Sequence, residues 1–273
     1  MQLKHQLIGS KNSPTILFLH GFMGSKKDWV PIVAEFCHDY RCLTIDLPGH
    51  GESVSFHQQA NFSMGSTAKA IIALLRRLQI SKCGLVGYSM GGRLALYLTI
   101  FYPAYFTKVV LESASPGLKT EPERKNRREK DHQLALQLEQ TDFEAFLNKW
   151  YNLPLFQTLK SHPRFEEMIK RRQMNQPHLL AKSLREMGTG EQPLLWEKVK
   201  QNKIPLLLVV GEKDAKFRAI ANEMVETCPA AQRSIIPGCG HNTHFENTDE
   251  FVKCCFGFFR QDLPGKQDSQ NYT

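Results

Sequence analysis

The order of apolar and polar residues along the chain predicts strands that alternate with helices. Apolar runs bounded by glycine, proline or polar residues are typical of buried strands, and the first half of the chain has four, at residues 15–19, 41–46, 83–87 and 108–112. Between these runs apolar residues recur at helical spacing, most clearly at residues 64–78. We therefore expect a mostly parallel central sheet flanked by helices, with residues 4–8 as a short edge strand.

This alternation is interrupted in the middle of the chain. Residues 118–203 have no comparable strand pattern and are typical of amphipathic helices divided by prolines, such as helices at 131–139 and 143–151. The strand pattern returns at residues 204–210. We predict a core of residues 1–117 and 204–262, a helical cap of residues 118–203, and a disordered tail of residues 263–273.

The composition is that of an ordinary soluble protein, with 273 residues of which 41% are hydrophobic. The sequence shows no secretion-signal pattern and no apolar run long enough to span a membrane, so we expect a cytoplasmic protein without a membrane partner. The seven cysteines are odd in number and lack metal-ligand spacing, which favours reduced thiols and argues against a metal site.

The formal net charge is +8, and residues 118–203 supply most of it, with 17 Lys and Arg against 12 Asp and Glu. No nucleic-acid-binding motif and no interleaved aromatic residues accompany this surplus, so we do not expect a nucleic-acid partner. Recognition of an acidic small molecule and a solvated basic face are the two remaining explanations.

An abrupt turn from strand to helix is predicted at Gly87-Tyr88-Ser89-Met90-Gly91, a G-x-S-x-G pentad. Such a turn brings the neighbours of its central residue together, so glycine is needed on both sides. The serine hydroxyl then lies at a helix N-terminus, where free N–H groups favour negative charge. The pentad is the sequence form of a nucleophile elbow, although a glycine-rich turn with an incidental serine has the same pattern.

Two further polar residues follow predicted strands at the same edge of the sheet. Ser89, Asp214 and His241 occur in the chain order of the α/β-hydrolases. A serine needs an imidazole to accept its proton, and the imidazole needs a carboxylate to fix its tautomer. We therefore predict that these three residues form a catalytic triad.

Each partner of the serine has an alternative. Glu112 also ends a strand and could replace Asp214 as the acid, and His244 could replace His241 as the base. Asp214 could instead be a helix N-cap. Asp46 and His50 follow another strand, but the tight turn at this point explains them.

The glycine-rich loop that begins at His20 can place backbone N–H groups beside a reacting oxygen. We predict an oxyanion hole formed by the N–H groups of Phe22 and Met90. Arg93 lies one helical turn after Ser89 and should point toward the mouth of the site. A cation at this helix N-terminus is unfavourable because it opposes the helix dipole, and an anionic ligand would offset that free-energy cost. The alternative is that the Arg93 side chain points to solvent.

These motifs resemble the 2-succinyl-6-hydroxy-2,4-cyclohexadiene-1-carboxylate synthase family of menaquinone and phylloquinone biosynthesis, whose members have the α/β-hydrolase fold. The resemblance spans nearly the whole chain and rests on residues 19–25, 28–29, 45–51, 87–93, 211–217 and 240–242. Many hydrolases share the triad motifs, so Arg93, the Lys216-Phe217 pair and the insertion carry the specificity. The resemblance implies a helical cap inserted after the sixth-strand position of that fold.

The resemblance also implies which side chains bind substrate. These are Tyr88, Arg93, Arg127, Trp150 and Arg171, with Arg124 as a rival of Arg127 and Arg172 as a rival of Arg171.

The implied reaction is the elimination of pyruvate from 2-succinyl-5-enolpyruvyl-6-hydroxy-3-cyclohexene-1-carboxylate, a small-molecule tricarboxylate, without a cofactor or metal. Ser89, activated by His241 and Asp214, would act as a base on the ring proton next to the succinyl ketone. Guanidinium groups bind carboxylates in bidentate fashion, which would explain the basic cap. A serine hydrolase for a small anionic substrate would use the same triad, and a small-molecule receptor built on this fold is a third hypothesis.

Overall fold

The computed structural model describes residues 2–53 and 60–260, in which seven strands form one sheet. The strand order is β1-β3-β2-β4-β5-β6-β7, with β1 antiparallel to β3 and every other pair parallel. The strands are β1 (His5–Ile8), β2 (Thr15–Leu19), β3 (Arg41–Ile45), β4 (Cys83–Tyr88), β5 (Phe106–Glu112), β6 (Leu206–Gly211) and β7 (Ala231–Ile236). The predicted mostly parallel sheet with an edge strand near residues 4–8 is confirmed.

Helices cover both faces of this sheet, and further helices lie between β5 and β6 in the chain. In chain order the α-helices of the described residues are α1 (Val30–Phe36), α2 (Met64–Arg77), α3 (Met90–Phe101), α4 (Glu121–Gln140), α5 (Phe143–Tyr151), α6 (Gln157–Lys160), α7 (Phe165–Gln173), α8 (Pro177–Met187), α9 (Trp196–Val199), α10 (Ala215–Thr227), α11 (Thr243–Glu246) and α12 (Thr248–Arg260). Successive strand residues point to opposite faces, so Leu17 and Leu19 join one apolar cluster with residues of α2 and α3, while Ile16 and Phe18 join a second with residues of α1 and α12.

The cap, residues 118–203, contains α4 to α9 and has its own apolar cluster around Phe146, Leu147 and Leu180. This cluster continues into Met23 of the core. The cap follows β5, which is the sixth-strand position of the α/β-hydrolase fold. The strand that leads into the first glycine-rich loop is the third in that fold but the second, β2, in this chain, so the later strands of the chain are numbered one lower.

Helix α4 is longer than the sequence pattern predicted. It begins at Glu121 and not near residue 131, because Thr120 and Glu123 form a capping box and Pro122 lies in the first turn. The first half of α4 is strongly charged and therefore lacks the apolar repeat that identified residues 131–139.

The carboxyl ends of β4, β5 and β6 lie side by side. Tyr88 pairs with Glu112, and Glu112 pairs with Val209. Residues that follow these three strands therefore meet at one edge of the sheet, as ligand-binding residues of open parallel sheets commonly do.

No helix in the described ranges 2–53 and 60–260 is long and apolar enough to cross a membrane. All seven cysteines lie in these ranges and are free thiols. The predicted disordered tail, residues 263–273, lies outside the described residues.

Candidate active site

Ser89 occupies the turn between β4 and α3, with φ 48° and ψ −106°. A positive φ is uncommon for a residue with a side chain and marks a strained turn. Two backbone hydrogen bonds hold this conformation: Ser89 N donates to the Glu112 carbonyl at 2.8 Å, and Arg93 N donates to the Ser89 carbonyl at 2.9 Å. The predicted elbow is confirmed.

The two glycines of the pentad are required by close backbone approach. A Cβ on Gly87 would lie 2.5 Å from the Gly91 carbonyl oxygen. A Cβ on Gly91 would lie 2.3 Å from the Leu19 carbonyl oxygen, because α3 starts directly against the end of β2. No side chain fits at either position without moving the turn.

The three predicted triad residues form one hydrogen-bonded line. Ser89 Oγ lies 3.1 Å from His241 Nε2, and His241 Nδ1 lies 2.7 Å from Asp214 Oδ2. A carboxylate only accepts hydrogen bonds, so Nδ1 of the neutral ring carries the proton and Nε2 is free to accept that of the serine. His241 and Asp214 are both buried, which keeps this line away from water.

Asp214 both caps a helix and contacts His241, so the two interpretations of this residue are compatible. Its Oδ1 accepts a hydrogen bond from Phe217 N at 3.2 Å at the start of α10, while Oδ2 faces His241. The Phe217 ring lies 4.7 Å from the His241 ring and packs against it. The first turn of α10 therefore orients the Asp214 carboxylate, and its Phe217 ring covers the His241 ring.

The two alternative triad residues pair with each other. Glu112 Oε2 lies 2.7 Å from His244 Nδ1, and Glu112 Oε1 accepts hydrogen bonds from Thr243 Oγ1 and His244 N at 2.8 and 3.0 Å. The His244 ring stacks on Trp29 with centroids 4.4 Å apart. This second acid–histidine pair is buried and does not contact the cavity at Ser89.

Asp46 and His50 are part of a turn, as expected. Asp46 accepts hydrogen bonds from the backbone N–H groups of Lys26 and Glu52 and pairs with Lys26 Nζ at 2.9 Å. His50 Nδ1 faces the Pro48 carbonyl at 2.9 Å. Neither residue lies on the surface of the cavity at Ser89.

A cavity of about 430 Å³ opens at Ser89 between the core and the cap. Phe22 and Met90, the residues predicted to form an oxyanion hole, both contact it. Met90 is the first residue of α3, so its N–H has no partner within the helix and remains available to a ligand.

The cavity wall is rich in cations and aromatic rings. The cationic side chains are Arg93, Lys119, Arg127, Arg172 and Lys216. The aromatic side chains, besides Phe22 and His241, are Tyr88, Trp150, Tyr151, Phe156, Trp196 and Phe217.

Arg93 is a cation that forms no ion pair with any residue the structure describes. Its Nη1 donates to the Met187 carbonyl at 3.1 Å. Burial, followed by repulsion from Arg127, lowers the pKa of Arg93 to about 10, and the charge of Asp131 opposes this effect only in part. Such a group is stabilised by an anionic ligand.

Arg127 and Lys216 extend this positive region. Arg127 Nε forms an ion pair with Asp131 Oδ1 at 2.8 Å on the same face of α4. Partial burial and the charge of Arg127 lower the pKa of Lys216, while Asp214 opposes the effect. The rival Arg124 pairs with Glu121 at 3.7 Å and does not contact the cavity.

Arg172, and not Arg171, contacts the cavity. Arg172 is 4% exposed, and its Nη1 donates to Asp28 Oδ1 and Oδ2 at 2.9 and 2.7 Å, while its Nε donates to Tyr151 Oη at 3.2 Å. Arg171 forms an ion pair with Glu167 at 2.5 Å and lies 3.6 Å from Asp28 Oδ1. Neighbouring helix residues point about 100° apart, so only one of the two can face the cavity.

Comparison with known proteins identifies the family of the chain. The α/β hydrolase fold family matches residues 14–248. A protein of Bacillus subtilis (strain 168) is 38% identical over 250 residues, 90% of each chain. The 2-succinyl-6-hydroxy-2,4-cyclohexadiene-1-carboxylate synthase of Enterobacter sp. (strain 638) is 34% identical over 94% of this chain and 96% of its own. The chain belongs to this synthase family.

A solved structure agrees with the membership. MenH from S. aureus has a TM-score of 0.89 and 35% identity to this chain, and the match covers 94% of this chain and 98% of that one. The α/β-hydrolase fold expected from the sequence is therefore confirmed.

Four of the five side chains that the family resemblance assigned to substrate contact the cavity: Tyr88, Arg93, Arg127 and Trp150. The fifth, Arg171, does not, and Arg172 takes its place. Burial is the main cause that raises the pKa of Tyr88 well above its ordinary value, so its hydroxyl stays protonated at neutral pH.

Lys119 and Lys216 contact the cavity but were not among the residues predicted to bind substrate. Lys119 pairs with Glu223 and lies 4.6 Å from the centre of the Trp196 ring. The position of Lys216, two residues after the triad acid and in the first turn of α10, was the available signal. A residue so close to a catalytic carboxylate lies at the same edge of the sheet.

Proposed function

We propose that this member of the synthase family eliminates pyruvate from 2-succinyl-5-enolpyruvyl-6-hydroxy-3-cyclohexene-1-carboxylate to give 2-succinyl-6-hydroxy-2,4-cyclohexadiene-1-carboxylate. The observation that carries the proposal is the unpaired Arg93 one helical turn from a complete triad. A neutral ester would leave that cation without an anion, whereas a tricarboxylate provides one. Arg127, Arg172 and Lys216 then supply the remaining positive charge of the wall.

Ser89 acts as the base in this proposal. Its hydroxyl proton moves toward His241 Nε2 as Oγ removes the ring proton next to the succinyl ketone, and Asp214 stabilises the imidazolium that forms. The electrons of the broken C–H bond enter the ketone as an enolate, whose oxygen accepts hydrogen bonds from the N–H groups of Phe22 and Met90. The enolate then collapses, the ring double bond shifts, and the C–O bond to the enolpyruvyl group breaks.

The leaving group departs as enolpyruvate and takes up a proton to become pyruvate. His241 holds the proton that the reaction has released and can return it at this stage. No acyl-enzyme forms, which separates this reaction from ester hydrolysis by the same triad.

The cap supplies part of the substrate-binding surface in this proposal. The guanidinium groups of Arg127 and Arg172 lie on cap helices α4 and α7, and the N–H groups that do not bind Asp131 or Asp28 are available for substrate carboxylates. The flat faces of Tyr88 and Trp150 suit the cyclohexene ring. We propose that residues 1–117 and 204–262 form the catalytic core and that residues 118–203 form the substrate-binding cap.

We also propose that the protein works in the cytoplasm. The free state of all seven cysteines, five of them buried, supports a reducing compartment.

The test is release of pyruvate from the enolpyruvyl substrate by the purified protein, followed together with the absorbance of the conjugated diene. We expect one pyruvate for each diene, and Ser89→Ala should reduce the rate by about 10⁴-fold or more, because the triad loses its reactive oxygen. Ser161→Ala, a change at an exposed serine of the cap, serves as the control and should retain full activity. Rapid hydrolysis of simple nitrophenyl esters without pyruvate release would contradict the proposal and favour a hydrolase.

A further inference from the structure

The loop of residues 20–25, here called the oxyanion loop, contains a strained residue next to Phe22. Met23 is fully buried and has φ 61°, a conformation that costs free energy in a residue with a side chain. Such a backbone persists only where its surroundings fix it. The contacts that fix it come from the cap.

Asn175, two residues past the end of α7, is the first of these contacts. Its Nδ2 donates to the Met23 carbonyl at 2.9 Å and to the Arg172 carbonyl at 3.1 Å. Its Oδ1 accepts a hydrogen bond from Gly51 N at 3.0 Å. Asn175 is 8% exposed and does not contact the cavity, so it has no direct access to a substrate.

Asp28 provides a second contact between α7 and the same loop. Its carboxylate binds Arg172 through both oxygens, and Oδ2 also accepts a hydrogen bond from Ser25 N at 3.2 Å. A Cβ on Gly24 would lie 2.7 Å from that oxygen, so the loop backbone lies directly against the carboxylate.

Two planar peptide groups connect Asn175 to the N–H group of Phe22. The first consists of the Met23 carbonyl, which Asn175 holds, and the N–H of Gly24. That N–H donates at 3.0 Å to the Gly21 carbonyl, which also lies 2.7 Å from His20 Nδ1 and belongs to the same peptide group as the Phe22 N–H. In a trans peptide the C=O and N–H bonds point in opposite directions, so fixing each carbonyl also fixes the N–H beyond it.

We infer that Asn175 is a positioning residue for the oxyanion hole: through the Met23 carbonyl it sets the direction of the Phe22 N–H. Asp28 and Arg172 hold the other end of the loop, so the end of α7 completes the catalytic site of the core. The inference rests on the proposed role of Phe22 as an oxyanion donor. It implies that the cap contributes to the rate of the chemical step as well as to substrate binding.

Replacing Asn175 by Ala or Asp tests this inference. Asn175→Asp keeps an acceptor for Gly51 N but cannot donate to the Met23 carbonyl, and it is nearly isosteric, so it remains informative if the alanine variant does not fold. Asn152→Ala is the matched control, because Asn152 is a cap asparagine whose side chain contacts Lys160 at the surface.

Two measurements separate positioning from stability. One is kcat and KM for pyruvate release, and the other is the rate at which a small neutral fluorophosphonate reacts with Ser89 Oγ, which displaces fluoride. The second reaction needs the oxyanion donors but no arginine. Both are measured well below the melting temperature of each variant.

We expect both Asn175 variants to lose about 10- to 100-fold in kcat, since one oxyanion donor is misplaced, with KM within about two-fold of the wild-type value. The fluorophosphonate reaction should slow by a similar factor, and Asn152→Ala should match the wild type. Unchanged kcat and phosphonylation in Asn175→Ala, a change in KM alone, or full rescue by Asn175→Asp would overturn the inference. If the wild type releases no pyruvate, the proposed function fails, but the phosphonylation rates still decide the role of Asn175.

Discussion

The Nδ1 atoms of His241 and His244 each lie 2.7 Å from a carboxylate oxygen, that of Asp214 in the first case and that of Glu112 in the second. The two histidines are three residues apart in the chain and belong to separate acid–histidine pairs. Only the His241 pair reaches Ser89. Replacing the carboxylate by its amide should therefore reduce activity in the first pair and stability in the second.

We expect Asp214→Asn to reduce kcat by about 10⁴-fold while the melting temperature changes little. An amide no longer fixes the His241 tautomer, but asparagine caps a helix as well as aspartate does. Steady-state pyruvate release and thermal unfolding measure the two effects. Asp142→Asn makes the same change at the N-cap of α5, where Oδ1 accepts from Ala145 N, and should leave activity intact.

Glu112→Gln should instead reduce stability by about 1–3 kcal/mol, since a buried carboxylate with three hydrogen bonds becomes a poorly matched amide. The folded fraction should retain most of its kcat. Urea unfolding and pyruvate release test this. A loss of kcat as large as that of Asp214→Asn would show that Glu112 takes part in the chemistry.

Two glycine-to-alanine changes should affect stability with opposite signs. Gly91→Ala places a Cβ against the Leu19 carbonyl and should cost about 3 kcal/mol or more, with loss of activity. Gly257 lies in α12 with open space around its Cα, so Gly257→Ala should stabilise the protein by about 0.5–1 kcal/mol. Denaturant midpoints measure both changes, and a destabilised Gly257→Ala variant would contradict the space seen at that position.

The two adjacent arginines of α7 should differ strongly. Arg172→Gln leaves Asp28 with only the more distant Arg171 and should cost about 3–5 kcal/mol, along with a higher KM for the tricarboxylate. Arg171→Gln breaks its ion pair with the exposed Glu167 and should cost about 1 kcal/mol or less, with KM unchanged. Equal effects of the two substitutions on KM would mean that both side chains reach the substrate.

The pH dependence of kcat/KM should show the titration of Lys216. A lysine loses its charge as pH rises through its pKa, and the lowered pKa of Lys216 shifts this loss to lower pH than for an ordinary lysine, so kcat/KM should fall along an alkaline limb. Lys216→Met should remove this limb, and Lys213→Met, a change at an exposed lysine nearby, should not. Arg127→Met removes a repelling charge, raises the pKa of Lys216 and should move the limb to higher pH. An identical limb in Lys216→Met would assign the titration to another group.

Regular patterns of apolar residues predicted most of the strands and helices of the core. Strand β2 and helix α5 begin and end where the sequence indicated, because buried strands and amphipathic helices require continuous or periodic apolar residues. The charged start of α4 was missed, since only its capping box marks it. The triad could be predicted from the sequence because each member follows a strand, and the carboxyl ends of the strands of a parallel sheet meet at one edge.

The cap side chains were harder to predict. Whether Arg171 or Arg172 faces the cavity depends on how α7 rotates against the core, and the decisive partner, Asp28, lies 144 residues away in the chain. Sequence spacing contains no information on that rotation. The contact of Asn175 with Met23 is equally remote, since the two residues are 152 positions apart in the chain.

The cap interrupts a sheet whose middle strands must pair across it, with Val109 of β5 opposite Leu206 of β6. During synthesis from the N-terminus, more than 80 residues are therefore added after β5 before β6 can pair with its outer edge. An unpaired strand edge can pair with other chains during this time. Ser89 is made early, but Asp214 and His241 emerge only with the strands that complete the sheet. A chain that ends before β6 therefore lacks two of the three predicted triad residues, and the triad is complete only after the edge of β5 has been covered.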